Sequence, residues 1–79
     1  MATPEQILEE SRKVRRLQIV VDLVMSVLRQ SEIPVEEAAE LVAQTRAYAL
    51  SLFPDKEATY DLLYESKFQR LMVEKYRMV

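Results

Sequence analysis

A chain of 79 residues with no cysteine and no histidine has neither a disulfide nor the usual zinc site to staple a small core, so packing alone must stabilise it. Its formal charge of −2 gives no global attraction to nucleic acid or anionic lipid, and any such binding needs a local patch. Glycine and asparagine are absent as well, which removes the residues that most readily take positive φ in primed hairpin turns and phosphate-cradling loops.

What remains is dominated by strong helix formers and predicts an all-α chain, a single helical domain of three helices over residues 1–79. The first helix starts at Thr3-Pro4-Glu5-Gln6. Thr3 is a suitable N-cap, Pro4 a suitable first helical residue, and Gln6 the reciprocal capping-box partner. No breaker follows before Pro34, so the helix is expected over 4–30, roughly 40 Å long at 1.5 Å per residue. A compact globule of this chain length is only about 30 Å across. Either the helix overhangs, or the molecule is elongated, or a second copy covers the excess.

The second half of this helix, residues 17–28, is the stretch around which the rest is arranged. Only Gln18, Asp22 and Ser26 are polar there, and at 100° per residue they span an arc of about 80°. With Arg15 and Arg29 they form one polar stripe, read as the solvent side. The sharper alternative buries Asp22 in part and pairs it with a cation from another helix, fixing register. Leu17, Val20, Val21, Leu23, Val24, Val27 and Leu28 are the candidates for self-association. Two neighbours in a three-helix chain leave part of their wide apolar arc without an intrachain partner. A homodimer packing this helix against itself would cover both that surplus and the overhang, giving a helical-bundle dimer.

Pro34 disfavours helical geometry at Ile33, so the second helix is expected over 34–53, with Glu36 and Glu37 at the positive end of its dipole. Its main apolar face is Ala38, Leu41, Val42, Thr45, Tyr48, Ala49 and Leu52. Ala39, Ala43 and Ala47 form a small-residue ridge, read as helix-favouring surface. Phe53-Pro54-Asp55 makes the next turn, with Asp55 as N-cap of a third helix over 56–76. Tyr60, Leu63, Tyr64, Phe68, Leu71 and Met72 share a broad face there, while Leu62 and Val73 point away. Because no clean stripe forms, a kink or break is expected near Glu65-Ser66-Lys67.

The residue inventory argues against an enzyme. The commonest general base and the best metal ligands are missing, and no serine has a nucleophile context. Glu36, Glu37 and Glu40 make a poor cation cage without loop oxygens. No metal or other cofactor is expected. The concentrated charge is Arg12, Lys13, Arg15 and Arg16. Glu9 is placed to pair with Lys13 and Arg12, whereas Arg15 and Arg16 have no acid at helical spacing.

Two functional expectations follow. The first is a non-catalytic interaction or oligomerisation module, a homodimer that also suits a helical or acidic protein partner. The second binds nucleic acid or an acidic partner through Arg12–Arg16. Nucleic acid is the weaker choice, because a third helix placed in a groove would present Asp55, Glu57 and Asp61 to phosphate. The acidic N-terminus does not read as a signal peptide, and the apolar run is too short to span a membrane. A soluble cytoplasmic chain is therefore expected.

Overall fold

The computed structural model describes residues 2–77. It is all-α, with three helices and no strand among the described residues. Helix α1 runs Pro4–Gln30 and α2 runs Val35–Leu52. Helix α3 spans 57–76: α-helical over Glu57–Tyr60, a π turn over Asp61–Glu65, and α-helical again over Ser66–Tyr76.

The start of α1 has the expected capping box. Thr3 Oγ1 accepts from the Gln6 N–H at 3.2 Å, and Gln6 Oε1 accepts from the Thr3 N–H at 2.9 Å. The far end is closed from a distance. Lys75 Nζ, on the last turn of α3, donates to the carbonyls of Leu28 and Ser31, and the Tyr76 hydroxyl donates to the Ile33 carbonyl at 2.9 Å. An ammonium at a helix C-terminus meets both the orphan carbonyls and the negative end of the dipole. Lys75 thus serves the end of α1, rather than merely complementing its own helix.

The α2–α3 turn corrects one expectation. Asp55 does not cap α3. Pro54 and Asp55 form the two central residues of a turn closed by the Lys56 N–H on the Phe53 carbonyl at 3.1 Å, which delays the helix to Glu57.

The kink or break expected near Glu65-Ser66-Lys67 takes the form of a π turn that ends at Glu65 and leaves α3 continuous. The Ser66 N–H bonds back five residues to the Asp61 carbonyl. The Ser66 hydroxyl takes the Leu62 carbonyl at 2.8 Å, the partner that an ordinary α-helix would give the amide. This extra residue explains the untidy apolar pattern. In a straight helix Tyr60 and Phe68 would lie about 80° apart, and absorbing one residue brings them to within about 20°. Tyr60, Phe68 and Met72 accordingly share one buried face, while Leu62 and Val73 are exposed.

The core joins Leu17, Val21 and Leu28 of α1 to Ala38, Val42 and Ala49 of α2 and to that face of α3. Phe68 and Leu28 are fully enclosed. Thr45 is buried among them with its hydroxyl donating to the Leu41 carbonyl at 2.7 Å, so its burial leaves no orphan donor. The molecule measures 46 × 21 × 15 Å, which fits the long first helix. Residues 4–16 of α1 project beyond the core and are exposed except at Lys13. No helix among the described residues is long and apolar enough to cross a membrane.

Candidate functional site

Three features stand out from the packed core. The first is the outer side of α1. Helix α2 covers one flank of this helix and α3 the next, the latter along Val21, Met25 and Tyr64. On the remaining flank Ile19 is 61% exposed and Leu23 63%. Val20, Val24 and Val27 are half-buried at its edge. Of the residues expected to mediate self-association, Leu17, Val21 and Leu28 are enclosed in the chain's own core and are not available to a partner. Ile19 was not singled out from the sequence. Its position four residues before Leu23, on the same face, was the signal for it.

Toward the N-terminus this flank becomes basic. Lys13 lies 4.0 Å from Glu9, the expected helical pair. Arg12, Arg15 and Arg16 are exposed and, among the described residues, have no carboxylate within ion-pair distance, so the expected contact of Arg12 with Glu9 is not made. The polar stripe of Arg15, Gln18, Asp22, Ser26 and Arg29 is exposed throughout. Asp22 is exposed and in no ion pair among the described residues, which sets aside its reading as a buried register-fixing group.

The second feature is an ion-pair cluster that the sequence did not suggest. Arg46 of α2 reaches Asp61 with both Nε and an Nη, at 2.9 and 3.1 Å, and Glu57 at 2.6 Å. One guanidinium thus bridges two acids a helical turn apart on α3, clamping the first turn and the start of the π turn onto α2. The hydrogen bonds to Arg46 hold the Asp61 carboxyl below its ordinary value, and the same bonds raise the guanidinium's own. Beside the cluster, burial and then the neighbouring Glu65 carboxylate push the Tyr60 phenol up to about 12. Its hydroxyl and Glu65 Oε2 are enclosed without a hydrogen-bond partner, while its ring lies 5.5 Å from that of Tyr64. Both shifts run away from neutrality. Asp61 stays a carboxylate and Tyr60 a phenol at pH 7, so the cluster holds helices together and has no proton to exchange there.

The third feature is an apolar groove of about 330 Å³ where the projecting arm of α1 passes the α2–α3 turn. Val14, Leu17, Leu50, Phe53, Tyr60 and Leu63 line it, with Glu10 and Lys56 among its polar residues. Among the described residues no group of three acidic side chains is placed to hold a metal ion.

No family model, curated protein or solved structure matches this chain. The functional reading therefore rests on geometry and chemistry alone.

Proposed function

We propose that this chain is a non-catalytic helical interaction module that self-associates through the outer flank of α1. One observation carries the reading: Ile19 and Leu23 lie open beside a half-buried row of valines, on the flank that neither α2 nor α3 covers. Helix α3 leaves this flank open: its buried Tyr60, Phe68 and Met72 pack into the core, and it meets α1 along Val21 and Met25. Magnitudes favour a modest assembly. Burying Ile19 and Leu23 contributes roughly 3–6 kcal/mol per chain, and a two-fold interface doubles that. Association costs about 4–15 kcal/mol, so these two side chains alone reach micromolar affinity only at the favourable end of both ranges, and further burial of the valines beside them is needed to make up the rest. The same reading places the module in the cytoplasm, in keeping with a chain that lacks cysteine. Sedimentation equilibrium tests it. A species of twice 9.3 kDa at micromolar concentration is expected, and a 9.3 kDa species up to millimolar concentration overturns it.

A second reading is favoured by the unpaired arginines. Arg12, Arg15 and Arg16 suit an acidic partner, and retention on heparin that falls steeply with salt would support it.

A further inference from the structure

The two ends of the outer flank of α1 differ in charge, and the difference specifies how two copies meet. Arg12, Arg16, Ile19, Leu23 and Val27 follow one another at steps of four, three, four and four residues, so they form one continuous row. The row is basic at its N-terminal end. At its C-terminal end Val27 borders a shallow surface depression whose other walls include Glu37 and Glu40 of α2. Glu40 accepts from Gln44 at 3.3 Å, and neither glutamate is in an ion pair among the described residues. One copy therefore carries two unmatched patches of opposite sign, separated along α1 by the exposed Ile19 and Leu23.

We propose that two copies pack α1 against α1 in antiparallel, two-fold register, with Ile19 opposite the partner's Leu23, and that Arg12 and Arg16 pair with Glu37 and Glu40 of the partner copy. This rests on the self-association proposed above and assigns its geometry. A parallel pair would set Arg12 and Arg16 against their own counterparts, a repulsive arrangement along the whole basic segment. The antiparallel register removes that conflict. With Ile19 level with Leu23, Arg12 falls level with the partner's Gln30 and Arg16 level with its Ser26, on either side of Val27, beside which Glu37 and Glu40 lie. A two-fold axis perpendicular to both helices keeps each α2 on the same side of the pair. The basic segment of each copy then meets the acidic patch of the other, and every contact occurs twice. The apolar centre supplies most of the attraction, while the charges at its ends select the register.

The test uses two double variants of exposed residues, R12E/R16E and E37K/E40K, each first shown by circular dichroism to keep the helix content of the unmodified chain. In sedimentation equilibrium each variant alone should dimerise at least tenfold more weakly, because each places like charges together at both ends. An equimolar mixture should recover the unmodified affinity, since both ends of the mixed dimer are again opposite in sign. If the unmodified chain dimerises and E37K/E40K dimerises equally well, the register is wrong while self-association stands. Heterodimers of R12E/R16E with the unmodified chain that outcompete both homodimers would indicate the parallel arrangement and overturn the proposal. A monomeric unmodified chain overturns self-association itself.

Discussion

The inner and outer rows of α1 are made of the same kinds of residue and meet opposite fates. Leu17, Val21 and Leu28 are enclosed, while Ile19 and Leu23, interleaved with them, are mostly open to water. Nothing in their own chemistry separates the two rows. The separation comes from the connections: a four-residue link folds α2 back along one flank, and the turn at Phe53 returns α3 to the next. A helix with two neighbours has a third side, and what that side carries is available to association. Composition gives the number of apolar groups on a helix, but topology decides which of them become core.

Substitutions on the two rows should separate stability from assembly. Truncating the fully enclosed Leu28 to alanine should cost about 2–5 kcal/mol, measured by urea unfolding at a concentration where the chain is monomeric. That is a large share of the 5–15 kcal/mol typical of a domain. Leu23→Glu should do the reverse, shifting monomer stability by about 0.5 kcal/mol or less while abolishing sedimentation as a dimer. If Leu23→Glu unfolds the chain, the outer row belongs to the core and the contrast fails.

Tyr60 sharpens the inner side. Its enclosed hydroxyl has no partner, so Tyr60→Phe should raise stability by about 1 kcal/mol at neutral pH. The folded phenol titrates near 12 against an ordinary value of 10.0. Its contribution is therefore complete below about pH 10 and lost as pH rises toward 12, and the phenylalanine variant should lose this alkaline slope. Asp61 supplies the matching acid control, away from both rows. Its folded value is depressed by Arg46, so its contribution is present above the unfolded value of 3.8 and disappears as pH falls through the lower folded value. Asp61→Asn should flatten this acid limb in an unfolding titration and leave the association constant unchanged. The smallest effect is expected for R15Q/R16Q on heparin, a modest shift to lower eluting salt.

Much of the fold was legible because its signals are local. The capping box at Thr3, the proline before α2 and the helical spacing of Ala38, Val42, Thr45 and Ala49 lie within a few residues of the structure they specify. The outward placement of Leu62 and Val73 was legible for the same reason. What was not legible depends on residues far apart in sequence. Arg46 and Asp61 are 15 positions apart, and nothing local marks either as the other's partner. The π turn left a trace, the imperfect stripe of α3, which read as a kink or break near Glu65-Ser66-Lys67. The Ser66 hydroxyl could have been recognised as the competitor for the Leu62 carbonyl. The candidate surface was half legible. Its breadth could be read from residues 17–28, but separating Ile19 from Leu17 required knowing where α2 and α3 lie.

The contacts of Lys75 and Tyr76 bear on the order in which the chain assembles. They join residues 43 to 47 positions apart, closing the α1–α2 connection with side chains from the last turn of α3. Most other contacts are within helices or between successive ones, so α1 and α2 are able to dock before that turn arrives. Closure of the connection is then a late event, one that the transition state has not yet made. Weakening it should leave the folding rate nearly unchanged and speed unfolding. In this molecule the persistence of the first helix's end is governed by the last helix to settle.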